Sequence, residues 1–266
     1  MMCLLDNRSI IPPSGLPALA AWLMAAVFVL FSACFVLGHY QTHSGDMGQY
    51  ITHARNLMWG RSWEVYMLDF PAVLPGYPLF IAIPLVTVGL NMFLFGLLNS
   101  LLWALCCVVF YTLYRERLCA YSGWVFLAVL LFNPFVVYFQ QEMQPNLFYS
   151  ASCAVALYAA YRLRDLQWKA SPATLAGWAL LVLLPATIRQ DSLALYMALA
   201  LYYIFLDRKL VLLAVCGIAL TIGLDLLITS FGQFSNISVL FFVGMKYTAS
   251  SATSEHAFVP SVLFMF

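Results

Sequence analysis

The stretch Met92–Tyr114, MFLFGLLNSLLWALCCVVFYTLY, decides how the rest of the chain is read. It carries no Lys, Arg, Asp or Glu over its 23 residues. As a helix it rises about 34 Å, enough to cross a hydrocarbon core roughly 30 Å thick. Further apolar stretches lie on either side, from Leu16 to Tyr40, Tyr121 to Phe139, Leu147 to Leu163, Ala173 to Ile188, Ser192 to Leu206 and Leu210 to Ser230. Together they predict about seven spans. A shorter piece, residues 75–90, is interrupted by Pro78, Pro84 and Gly89 and reads as a re-entrant or interfacial helix.

Composition points the same way. The chain has 266 residues, 64% of them apolar and 9% charged, with a mean hydropathy of +0.90. A soluble domain is about half apolar and about a quarter charged, so this excess is more than a water-soluble core hides. The expected fold class is all-α: a polytopic helical membrane protein with interfacial helices in its first outer loop. A net charge of +1, with Lys and Arg scattered between apolar segments, excludes a nucleic-acid partner. The seven cysteines, Cys3, Cys34, Cys106, Cys107, Cys119, Cys153 and Cys216, form no CxxC pair. The first apolar run is too long for a signal-peptide core and is expected to stay as an anchor.

Charge sets the orientation. If residues 75–90 do not cross, Arg115 and Arg117, then Arg162, Arg164 and Lys169, then Arg208 and Lys209 all share a side with the N-terminus. Positive-inside bias makes that side cytoplasmic. The outer side then receives the loop 41–74, the short loop 140–146, the corner Arg189–Asp191 and a tail after Ser230. In the first loop, Asp46 opens an interfacial helix over 46–59 that stops near Gly60, since Asp favours a helix start and Gly its end. Helical spacing puts Tyr50, Ala54, Leu57 and Met58 near one stripe, with Gln49, His53 and Asn56 elsewhere. Trp59, Trp63 and Tyr66 suit an interfacial aromatic belt.

The order of these features is distinctive: a first span, then DMGQYITHARNLMWGRSW from Asp46, then PGYPLFIAIPLVTVG from Pro75, then a span closing on YRERL. It resembles the GT-C superfamily of polyprenyl-phosphate-sugar-dependent glycosyltransferases, in the branch of protein mannosyltransferases and the lipid A aminoarabinose transferase. The positions carrying the resemblance are Asp46, Tyr50, Ala54, Leu57, Gly60, Pro75 and Pro78. It continues weakly through QPNLFYSASCAVALYAAYR, more clearly at Arg189, and covers roughly residues 16–210. Residues 1–230 would then form the GT-C-like membrane module.

The resemblance implies inverting transfer of a sugar from a polyprenyl-phosphate donor to an acceptor on the outer face of an integral membrane, a bacterial inner membrane sooner than the endoplasmic reticulum. It gives Asp46 the catalytic role of orienting or deprotonating the acceptor. Tyr50 and Arg189 become substrate-binding residues, Arg189 meeting the lipid-linked phosphate. Glu142 is a weaker substrate-binding candidate, because alignment on LFYSAS places Pro145 nearer the position where the family carries a second acid.

Plainer roles stand beside these. Asp46 also reads as a helix cap, Arg189 as an arginine snorkelling or paired with Asp191, and Glu142 as a solvated loop carboxylate. His39, His43, Asp46 and His53 have a spacing that can hold a metal, yet histidines are common at an interfacial helix end. No cofactor is therefore assigned, with a divalent metal left open. Asp225, near the outer end of the last stretch, reads either as a functional intramembrane acid or as a hydrated structural one. The tail 231–266, with SVLFFVGMKY and FVPSVLFMF, reads as the start of an outer segment leading into a missing C-terminal part, which a partner chain would have to supply. The competing expectation is a non-catalytic protein: a degenerate subunit, or a transporter or flippase of lipid-linked substrates.

Overall fold

A computed structural model describes residues 16–36, 45–58, 73–114, 120–139 and 145–229. Every regular element among the described residues is helical. In order they are α1 (Leu16–Phe31), which runs into a π-helical turn at Ser32–Val36, α2 (Gly45–Met58), α3 (Gly76–Thr87), α4 (Met92–Tyr114), α5 (Ala120–Leu131) and α6 (Pro134–Phe139). There follow α7 (Pro145–Asp165), α8 (Pro172–Leu183) with a 3-10 turn at Leu184–Thr187, α9 (Ser192–Tyr203) and α10 (Arg208–Thr229). The Trp59–Tyr66 belt, Glu142, Arg115, Arg117 and the tail 231–266 lie outside the described residues.

Two of the described helices, Met92–Tyr114 and Arg208–Ile228, are long and apolar enough to cross a membrane by length and composition. Of the other expected spans, Leu147–Leu163 forms within α7, which is long enough at 21 residues but less apolar. The rest are shorter or interrupted as helices, and proline is the reason in two of them. Pro134 lacks the N–H that would bond to the carbonyl of Leu130, so Tyr121–Phe139 divides into α5 and α6. The freed Leu130 carbonyl instead accepts the indole N–H of Trp103 on α4 at 3.0 Å. Pro185 likewise ends α8 at Leu183, so Ala173–Ile188 is not one continuous α-helix.

Apolar side chains also cover the outside. Leu19, Trp22, Leu23, Val27 and Leu30 of α1 are exposed along one face, as are Leu79, Ile83 and Val86 of α3 and Leu212, Val215, Leu226 and Leu227 of α10. The two candidate spans are 44% and 28% buried, where the core helix of a soluble protein is mostly covered. Exposed apolar helix faces of this kind mark a membrane or protein contact.

Inside, small residues set the distances between helices. Ala21 and Ala25 of α1 pack with Ala104 and Cys107 of α4, and Leu127 and Leu131 of α5 complete that cluster. The central helix is α7. Its Ala151 and Ala154 meet Cys106 of α4, while Ala159, Ala160 and Leu163 pack on α8 and share one cluster with Val182 of α8, Tyr196 and Leu199 of α9 and Ala214 of α10. Alanine on both sides lets the backbones approach closely, which is how helices associate where burial from water contributes little.

Helices α7 to α10 run up and down, which separates two ends. At one, Trp168 Nε1 after α7 donates to Asp207 Oδ2 before α10 at 2.9 Å, and Lys209 lies 5.4 Å from the Trp168 ring centre. Trp168 and Gln167 hold φ of 57° and 49°, a left-handed hairpin that this cross-contact fixes. Arg162, Arg164, Lys169 and Arg208 belong to the same end, as their loop positions predict. At the other end stand the start of α7, the Pro185 turn, the start of α9 and the finish of α10.

Candidate functional site at the Arg189 corner

The corner Arg189–Asp191 exists because α8 is broken. In an unbroken helix the Ala186 N–H would donate to the Val182 carbonyl. Here the Tyr196 hydroxyl stands between them: it accepts from Ala186 N at 3.2 Å and donates to Val182 O at 2.9 Å. A side chain inserted into the helical ladder is a recognised cause of a kink. Its ring lies against the backbone of α10 at Gly217, where a Cβ would come within 2.5 Å of Tyr196 Cε1. The corner then closes through Ile188 N and Arg189 N, both donating to Pro185 O at 3.1 and 3.4 Å.

Arg189 is gripped on three sides. Its Nη2 is 2.7 Å from Asp191 Oδ2, its Nη1 donates to Asn146 Oδ1 in the first turn of α7, and its guanidinium carbon lies 5.7 Å from the ring centre of Tyr149. The side chain remains 36% exposed. A part-exposed guanidinium held in orientation by these contacts is suited to an anionic group such as phosphate or carboxylate.

Helices α2 and α3 pack at this same end. The backbone of α3 approaches Thr187 so closely at Gly76 that a Cβ there would meet Thr187 Oγ1 at 2.5 Å. Tyr77, buried on α3, has its ring 5.1 Å from that of Tyr50 on α2 and 6.0 Å from Phe148 on α7, while Phe80 stacks on Phe148 at 4.2 Å. One cluster thus joins Ile51 and Ala54 of α2, Tyr77 and Ile81 of α3, and Ile188 beside Arg189, with Tyr50 and Tyr149 packed against it. Asp46 occupies the first turn of α2, one helical turn before Tyr50.

The candidate residues therefore separate as follows. Tyr50 and Arg189 belong to one end of the molecule, linked through Tyr77, Phe148 and Tyr149. A helix forms at Gly45–Met58, where an interfacial helix is expected over 46–59, and Glu142 lies outside the described residues. Arg189 does pair with Asp191, the plainer role, and also with Asn146 and Tyr149, which no sequence signal marks as its partners. Asn146 directly after Pro145 looks like any helix-start residue.

One expectation needs correction, and one open alternative gains geometry. His53, expected away from the packed stripe, is fully buried, because α3 covers more of α2 than one stripe. Burial pushes its pKa down to about 4, so the imidazole is neutral at pH 7. Asp225, for which a functional and a structural role both stood open, is 0% exposed, and its Oδ1 accepts a hydrogen bond from Gln190 Nε2 at 3.1 Å. The start of α9 and the corner cover it. Among the described residues no three His, Cys, Asp or Glu side chains group together as metal ligands would.

Comparison of the sequence with protein-family models finds none that matches, and comparison with curated proteins finds no match either.

Proposed function

We propose that the chain is a polytopic membrane protein of about seven spans, built on the GT-C plan, that moves a sugar from a polyprenyl-phosphate donor to an acceptor at the outer membrane surface. The observation that carries this is the Arg189 corner: a fixed, part-open guanidinium at the end of the bundle where Tyr50 and the helix beginning at Gly45–Asp46 also pack. The apolar outer faces of α1, α3 and α10 support the membrane setting. Sequence resemblance supplies the donor class.

In the proposed reaction the acceptor oxygen attacks the anomeric carbon from the face opposite the phosphate. The new carbon–oxygen bond forms as the bond from that carbon to the phosphate oxygen breaks, inverting the centre. The acceptor's proton passes to the Asp46 carboxylate. The departing polyprenyl phosphate keeps the electron pair, and the Arg189 guanidinium stabilises its added charge. Glu142 is retained as a secondary substrate contact. Elements of the shared plan beyond residue 230, whether in this chain or a partner, would complete acceptor binding.

A second proposal, a transporter or flippase of lipid-linked substrates, has the broken α8 and the buried Asp225 in its favour, since interrupted helices and interior acids mark transport sites. One experiment separates the two. Membranes containing the protein are supplied with a radiolabelled polyprenyl-phosphate sugar, and label transfer to acceptor is followed for the parent chain, Asp46→Asn and Arg189→Ala. Catalysis predicts transfer by the parent and a loss of at least about a hundredfold in each variant. Transfer that survives Asp46→Asn removes that residue from the chemistry. Lipid translocation without transfer would establish the second proposal.

A further inference from the structure

Asp225 is the charged residue most deeply enclosed among those described, on a helix apolar enough to span a membrane. Enclosing a carboxylate is costly: removing it alone would deprive the Gln190 amide of an acceptor, yet replacing both partners by well-packed apolar residues is often neutral or stabilising. Asp225 is therefore poorly explained as a device for stability.

Its surroundings suggest another role. Gln190, 8% exposed, donates its Nε2 hydrogen to Asp225 Oδ1 at 3.1 Å. One turn earlier on α10, Thr221 Oγ1 lies 2.9 Å from Ser192 Oγ, both fully buried. These two polar rungs tie α10 to residues 190 and 192, one on each side of Asp191. Arg189 and Asp191, the ion pair, thus belong to a corner whose backbone is clamped from beneath by α10, while Asn146 and Tyr149 hold the guanidinium from the side of α7.

We infer that Asp225 is a positioning residue which, through Gln190, fixes the corner so that the part-exposed Arg189 is held ready for a phosphate group. This rests on the reading of Arg189 under Proposed function. Three-sided fixation matters because a guanidinium held in advance loses less freedom when it binds a phosphate. Without the Gln190–Asp225 bond, the residues between the Pro185 turn and α9 keep their helical neighbours but lose a tie to α10.

The test is binding, independent of turnover. The full chain in nanodiscs of neutral phospholipid is titrated with polyprenyl phosphate, followed by tryptophan fluorescence, alongside thermal unfolding of each variant. Asp225→Leu is expected to weaken binding at least about tenfold while the protein still folds, with Tm lowered by a few degrees because the Gln190 amide loses this acceptor. Asp225→Asn keeps an Oδ1 acceptor for Gln190 and should restore affinity to within about threefold of the parent. Gln190→Leu should match Asp225→Leu, and the double variant should be no weaker than either single one. If Asp225→Leu does not fold, Gln190→Leu cuts the same rung from the other side and decides alone. Parent-like affinity in the folded Leu variants overturns the inference while leaving Arg189 as the phosphate site. Equal binding by the parent and Arg189→Ala overturns the reading beneath it.

Discussion

Replacing Tyr196 with Phe removes one oxygen and tests the break that creates the Arg189 corner. That oxygen donates to Val182 O at 2.9 Å and accepts from Ala186 N at 3.2 Å, all in the buried interior. The ring itself stays, seated against Gly217. Two outcomes are open to the freed groups: they remain unsatisfied, or Ala186 moves toward Val182 and closes the ladder directly. Movement is opposed on the far side. Thr187 is in close approach with Gly76, and Arg189 is tied to Asn146 and Asp191. The gap should therefore persist, at a cost of about 1–3 kcal/mol for two lost hydrogen bonds in a buried site. For a chain of this size each kcal/mol lowers Tm by about 2–4 °C, so the fall should be roughly 2–12 °C. Thermal unfolding in detergent micelles, followed by circular dichroism at the helical band, measures it. A Tyr196→Phe protein that unfolds at the parent temperature would show that the hydroxyl does not bridge the break, and the account of the corner would go with it.

Gly217→Ala presses the same contact from the opposite side. A Cβ at 2.5–2.7 Å from three Tyr196 ring atoms forces the ring or α10 to shift, and the expected loss is about 1–3 kcal/mol, read as a lower Tm. Trp103→Phe leaves the Leu130 carbonyl without its indole donor and should cost about 1 kcal/mol in the same assay, whereas Trp103→Phe with parent stability would show that Pro134's missing bond is satisfied in another way. His53 gives a pH signature. Its folded pKa lies near 4 against 6.5 when unfolded, so the unfolded chain takes up the proton first as pH falls. Its contribution is complete above pH 6.5 and is lost as pH drops toward 4; His53→Gln should remove the decline in the upper part of that window, and an unchanged pH profile of Tm would contradict the burial of the ring.

Local chemistry made the helices legible. The apolar stretches, the prolines and the glycines placed α2 at 45–58 against an expected 46–59 and α3 at 76–87 inside the expected 75–90, because helix starts and stops depend on residues within a few positions of each other. The same rules show why Pro134 and Pro185 divide their stretches. Sequence also picked out Arg189, an arginine between two apolar runs, whose rarity in such a place is itself the signal.

Tertiary structure alone decided which faces meet. Helices apolar on every side carry no periodic mark of the face that turns inward, so nothing in the sequence distinguishes the buried Phe28 from the exposed Val27 on α1. The partners of Arg189 were hidden for a related reason: Asn146 lies 43 positions away, and Asp225 is 35 positions from Gln190. Small residues on α7 and Gly217 on α10 allow the close packing that brings them together. Side chains become neighbours across helices only when backbone separation and crossing are fixed, and those are properties of the assembled bundle, set by many weak contacts at once.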